Sequence, residues 1–134
     1  WERGNQKTDT NICYSIIFIF ACRYRKKLLM SKQVSDDIKQ FSYEICQKHK
    51  VIIRYMETDK DHIHYMIETE PTMFISKIVN LMKSYTTYHS CKRYPDYLRK
   101  HFLKEHTFWT DGYFVCSVGN VSEEMLRKYI ENQG

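Results

Sequence analysis

Residues 12–22 form the first strongly apolar stretch of the chain; they are β-branched and aromatic and read as a central strand buried on both faces. The period then turns helical. Ile38, Phe41, Ile45 and Cys46 recur at helical spacing behind Ser35, Asp36 and Asp37, which predicts a helix capped at Ser35 and running to about Lys50. Residues 51–57 predict a second strand and Asp59-Lys60-Asp61 a short turn. A third strand follows from His62 to Glu70, where Pro71 ends it. A second helix is expected from near Thr72–Phe74 past Lys83, with Ile75, Ile78, Val79 and Met82 as its inner stripe, and Pro95 opens a short helix through Phe102. Asp111-Gly112 is a turn signal before a fourth strand, Tyr113–Val118, which Gly119-Asn120 breaks. Ser122, Glu123 and Glu124 then start a last helix that reaches Gln133.

The order is β-α-β-β-α-β with a terminal helix. It predicts an α+β fold of ferredoxin-like (split βαβ) type, an antiparallel sheet with helices on one face and the other face open for a site. At 134 residues the chain is expected to be a single domain over residues 1–134.

Composition narrows the class. The longest apolar run, residues 16–22, is far short of a membrane span or a signal segment. Five cysteines, odd in number and scattered, argue against a zinc ribbon or a disulfide framework and predict reduced, mostly buried thiols in a cytoplasmic protein. The chain opens at Trp1 without a methionine, so a start upstream is expected. Charge is uneven. Residues 21–32 and 77–106 together carry +10 and the rest of the chain −5, for a net charge of +5. Localised positive charge favours a polyanion partner, because released counterions drive nucleic-acid binding; the bland alternative is a solvated basic face.

The third strand carries candidate chemistry. His62 and His64 alternate with Ile63, Tyr65 and Ile67, so both imidazoles share one face. Positions two apart on a strand are separated by roughly 6.5–7 Å and a metal–imidazole bond spans about 2.1 Å, so the two rings can converge on one cation. Such a pair is also common as plain surface or core histidine. A catalytic site needs a third ligand. Glu57, Asp61 and Glu68 are near in sequence, and spacing singles out none of them. On the last helix Met125, Tyr129 and Gln133 share one row, which sets a phenol beside a neutral oxygen donor. Tyr129 taken alone fits an apolar stripe with Leu126 and Ile130, and only the joint pattern with the histidines favours the chemical reading. Two imidazoles and an amide would leave the charge of Mg²⁺ or Mn²⁺ undiminished for a phosphodiester.

Taken together these segments resemble the HUH-class single-tyrosine transposases of bacterial and archaeal insertion sequences that move as single-stranded DNA. The resemblance spans roughly residues 12–133 and rests on Arg23-Tyr24-Arg25-Lys26-Lys27-Leu28, Asp59-Lys60-Asp61-His62-Ile63-His64, Ser76-Lys77-Ile78-Val79 with Leu81-Met82-Lys83-Ser84, Phe108–Phe114 with Ser117-Val118-Gly119-Asn120-Val121, and Arg127–Gln133. It implies cleavage and rejoining of insertion-sequence ends through a 5′-phosphotyrosine, with Tyr129 as nucleophile and His62, His64 and Gln133 as ligands of Mg²⁺ or Mn²⁺. It also implies DNA ends recognised as hairpins, and a homodimer in which the tyrosine helix of one subunit completes the metal site of the other. The chain stops at Gly134, just beyond that helix, whereas some relatives continue.

Arg23, Arg25, Lys26, Lys27 and Lys83 are the candidates for phosphate contacts, followed by Lys77, Lys92 and Arg93. Trp109 is placed in the core in preference to a base-stacking role. Metal-bound histidines must be neutral, so activity is expected to fall below roughly pH 6.5. Competing readings are a non-catalytic single-stranded DNA or RNA-binding module on the same sheet, disfavoured by the missing Arg-Gly-Phe-Gly-Phe pattern, and a domesticated HUH nuclease acting on repeat hairpins.

Overall fold

Alternation of large apolar side chains along the strands decides which face carries the helices. The computed structural model describes residues 14–70 and 73–117. Within them the chain forms β1 (Tyr14–Ala21), α1 (Lys32–Lys48), β2 (Ile52–Asp59), β3 (His62–Thr69), α2 (Ile75–Arg93), α3 (Pro95–Phe102) and β4 (Phe114–Ser117), with 3-10 turns at Arg23–Arg25 and Leu28–Met30. The sheet order is β2-β3-β1-β4 and every neighbouring pair is antiparallel. Strands β1 and β2 therefore run parallel with β3 between them, which is the split βαβ arrangement expected from sequence.

Ile16, Phe18 and Phe20 of β1 and Ile63, Tyr65 and Ile67 of β3 form one core with Val34, Ile38 and Ile45 of α1, Ile78, Val79 and Met82 of α2, and Leu98 and Phe102 of α3. Phe20 lies at its centre, edge-on to Tyr65 and Trp109 at ring-centroid distances of 5.2 and 5.6 Å. The two polar aromatics bury their heads with partners. Tyr65 shares a 2.7 Å hydrogen bond with Ser42, and Trp109 Nε1 donates to Thr86 Oγ1 at 2.8 Å. Trp109 is thus a core residue. On the opposite face Ile17 and Met66 are also buried, with Ile19, Tyr55 and Cys116 beside them. The expectation that β1 is apolar on both faces holds.

Several element boundaries differ from the sequence reading, most of all at the start of α1. Helix α1 starts at Lys32, capped by Ser31, whose hydroxyl accepts from the Val34 N–H at 3.3 Å. Ser35 is not the cap: it is buried one turn in and shares a 2.6 Å hydrogen bond with Thr58 of β2. Strand β2 runs on to Asp59, which pairs with His62, so the hairpin turn narrows to Lys60-Asp61. Helix α2 ends at Arg93 because Pro95 disfavours helical geometry at Tyr94, and Pro95 then opens α3. The expected strand residues Ile12, Cys13 and Val118, and the expected last helix from Ser122 to Gln133, lie outside the described residues.

Candidate active site

The histidine strand is held in the sheet on both sides. Across it, His62 pairs with Ala21 of β1 and Asp59 of β2, and His64 with Ile19 and Glu57. Regular pleating puts both imidazoles on the face away from the helices. Their rings stack at a centroid distance of 4.7 Å and an angle of 27°, and His64 is only 5% exposed.

Asp61 sets the orientation of the first ring. Its Oδ1 lies 2.8 Å from His62 Nδ1, and its Oδ2 accepts from Arg25 Nε at 2.9 Å. Burial alone would raise the Asp61 pKa, but the hydrogen bonds from Arg25 and His62 outweigh it and hold the carboxyl below the ordinary carboxylate range. An ionised Asp61 fixes the Nδ1–H tautomer of His62 and leaves Nε2 as the lone-pair donor, the pattern of carboxylates that orient metal-bound histidines. The other two acids have partners of their own. Glu57 accepts from the Tyr55 hydroxyl, and Glu68 pairs with Arg54 Nε at 3.0 Å. Among the described residues no cluster of three or more histidine, cysteine, aspartate or glutamate side chains could hold a metal ion. The donor chemistry of His62 and His64 fits two positions of a divalent site. The sequence-derived third ligand Gln133 and nucleophile Tyr129 both lie outside the described residues.

The basic segment after β1 is bent beside this pair. Tyr24 and Arg25 have φ of 57° and 53°, left-handed conformations that cost non-glycine residues about 1–2 kcal/mol each. Contacts to distant parts of the chain hold the bend: Arg23 to Asp111 at 3.1 Å, the Tyr24 hydroxyl to Glu105 at 3.2 Å, and Arg25 to Asp61. The backbone is tied down too. Cys22 N–H donates to Asp61 O at 2.8 Å and Leu29 N–H to Lys60 O at 3.0 Å, so the loop is strapped to the hairpin that carries His62. Lys26 and Lys27 stand on this loop, with Lys27 exposed.

Lys83 has a different setting from the other candidate cations. Its ammonium donates to the carbonyls of Thr110, Asp111 and Gly112 at 2.8, 3.2 and 2.8 Å, which uses all its hydrogens. It also lies over the rings of Phe20 and Tyr113. Burial depresses its pKa, with Asp111 opposing and Arg23 reinforcing that effect.

Sequence reasoning put the two histidines on one face; that the basic run after β1 lies beside them is a finding of the structure. It missed that Asp61 serves His62 and that Arg25 serves Asp61. A carboxylate immediately before the histidine in the sequence was the available signal. Cys22 and Cys46 are buried free thiols, and Cys91 and Cys116 are partly buried and unpaired, as expected; Cys13 lies outside the described residues.

An antiparallel β2-β3-β1-β4 sheet with helices on one face and a histidine pair on the other is a ferredoxin-like scaffold, and comparison with known proteins narrows its class. Residues 10–133 match the family model described as "Transposase IS200 like", so the chain belongs to the IS200-like transposase family and is a transposase. It is 25% identical over 115 residues to the ISDra2 transposase TnpA of Deinococcus radiodurans, covering 86% of this chain and 80% of that protein. It is 26% identical over 132 residues to the transposase for insertion sequence element IS200 of Salmonella typhimurium, covering 98% of this chain and 83% of that protein. Among solved structures, a putative transposase from Deinococcus radiodurans superposes with a TM-score of 0.72 at 22% identity, covering 91% of this chain and 92% of that one. A REP-associated tyrosine transposase bound to a REP hairpin superposes with a TM-score of 0.62 at 16% identity, covering 88% of this chain and 62% of that one. Both share the fold. No helix among the described residues is long and apolar enough to cross a membrane.

Proposed function

We infer that this transposase, acting as one catalytic domain in the cytoplasm, cleaves and rejoins single-stranded DNA at the ends of its insertion sequence through a 5′-phosphotyrosine. The observation that carries the reading is the stacked His62–His64 pair with Asp61 on the Nδ1 of His62, in a chain of the IS200-like family.

In this reading Tyr129 is the nucleophile, and His62, His64 and Gln133 hold a divalent cation, Mg²⁺ or Mn²⁺. When bound, the cation supplies positive charge against a non-bridging phosphate oxygen. Tyr129 Oη attacks phosphorus in line; the Tyr–O–P bond forms, the P–O3′ bond breaks, and the phenol proton is balanced by the one gained at the released 3′-hydroxyl. A different 3′-hydroxyl then attacks the phosphotyrosine, a new P–O3′ bond forms, and the tyrosine regains its proton. Bond energy is conserved in the covalent link, so the exchange needs no nucleotide triphosphate. Asp61 keeps His62 in the ligating tautomer, and Arg25, Lys26 and Lys27 line the approach of the phosphates. Hairpin ends as substrate are supported by the related fold solved with a REP hairpin. A homodimer sharing Tyr129 and Gln133 between subunits completes the proposal.

Incubation with Mg²⁺ and labelled single-stranded DNA carrying the element's ends tests it. An SDS-resistant adduct is expected for the wild type, absent for Tyr129→Phe and for His62→Ala. An undiminished adduct in Tyr129→Phe would overturn the assignment of the nucleophile.

A further inference from the structure

A second feature lies outside the histidine site, beside the helix α2 that covers the sheet. The outer face of α2 and the segment His106–Asp111 border an open cleft of about 480 Å³, with Arg23 in its lining. Its volume falls in the range of ligand sites, and its open form lets a chain pass through it. The walls are rich in donors. Arg23 brings a guanidinium, His106 an imidazole, and Asn80, Thr87 and Thr107 an amide and hydroxyls, while Lys83 is spent on the backbone carbonyls of the wall itself. Its one carboxylate, Asp111, is engaged by Arg23 at 3.1 Å. Tyr88 stands at the rim with 57% of its surface exposed. A guanidinium for phosphate, neutral donors and acceptors for base edges, and a ring for stacking are the set that single-stranded nucleic acid requires.

The cleft's position relates it to the histidines. Thr110 N–H donates to Ala21 O at 2.8 Å, and Ala21 is the register partner of His62. Thr110, Ala21 and His62 are thus side by side on three adjacent chains, which sets the cleft wall about 10 Å from the histidine strand. Arg23 links the two: it lines the cleft and follows directly on Cys22, whose N–H bonds to Asp61 O.

We propose that this cleft holds an unpaired nucleotide of the DNA strand next to the scissile phosphate, which crosses the end of the sheet over Arg23 from the histidine pair. The location of the scissile phosphate rests on the function proposed above; the strand-binding cleft itself does not.

The test uses the whole chain and fluorescein-labelled dT12, with dTMP as the free-nucleotide arm. Thr87→Trp, which fills the cleft, is expected to weaken dT12 binding at least tenfold, while Gln33→Trp, the same bulk on the exposed side of α1, leaves it unchanged. Asn80→Asp, nearly isosteric, is expected to weaken it severalfold, with the loss shrinking as salt rises. Thermal melts of each variant confirm folding. A 4-thiothymidine dT12 is expected to crosslink to Tyr88 or His106 by peptide mass mapping. Unchanged dT12 affinity in both cleft variants, crosslinks confined elsewhere, or dTMP binding as tightly as dT12 would overturn the proposal. The covalent-adduct assay reads the other proposal separately: wild type that binds dT12 in the cleft yet forms no adduct leaves the cleft standing and removes the tyrosine chemistry.

Discussion

Asp61 illustrates how a single residue acquires a role that its charge alone does not reveal. Between Arg25 and His62 it is an orienting group, and both of its oxygens are used for that purpose. Arg25 is largely exposed, so its ion pair contributes at most about 1 kcal/mol to stability. The gain is geometric. Asp61→Asn is therefore expected to lower Mn²⁺ affinity by roughly 10–100-fold in titration calorimetry, with a melting temperature close to that of the wild type. Equal affinity in the variant would remove Asp61 from the site. Lys83 shows the reverse case, a lysine whose charge suggests phosphate but whose hydrogens tie down the Thr110–Gly112 backbone.

Among the elements, α1 shows how local signals compete. Ser31 and Ser35 both precede residues suited to a first turn, and Asp36 and Asp37 favour the second of them as cap. Burial decided otherwise. Val34 is 2% exposed, and beginning the helix at Lys32 turns Val34 inward with Ile38, Phe41 and Ile45. Asp36 finds Lys32 four residues back, at 2.8 Å. Removing the Ser31 hydroxyl (Ser31→Ala) is expected to cost about 1 kcal/mol, read as a melting temperature lower by a few degrees, whereas Ser31→Gly should cost a few tenths. If Ser31→Ala melts with the wild type, the cap is not at Ser31.

For the molecule as a whole, the buried titratable groups set a direction for the response to alkali. Burial pushes the thiols of Cys22 and Cys46 up to about 12, and burial with the neighbouring Asp37 carboxylate pushes the Tyr94 hydroxyl up to about 12. Tyr65, fully enclosed, is raised as well. A group whose folded pKa lies above its unfolded value stabilises the fold fully below the unfolded value and loses that contribution as pH climbs through the folded one. Unfolded cysteine and tyrosine ionise near about 8.5 and 10. The urea midpoint is accordingly expected to hold to about pH 8.5 and fall steadily toward pH 11, less steeply in Cys46→Ala. A flat profile to pH 11 would contradict the burial of these groups.

Element order, strand identity and the shared face of His62 and His64 were legible in the sequence, because each follows from spacing along a single strand or helix: a period of two for strands, a period of 3.6 for helices. The family was legible too, since its motifs are short and occur in order along the chain. The partnership of Arg25, Asp61 and His62, the commitment of Lys83 to backbone carbonyls and the cleft between α2 and the segment after α3 were not. Each joins residues far apart in the chain whose meeting depends on how β1 exits the sheet and where the left-handed turn at Tyr24 and Arg25 sends it. Periodicity reports which way a side chain faces; packing alone selects what it meets.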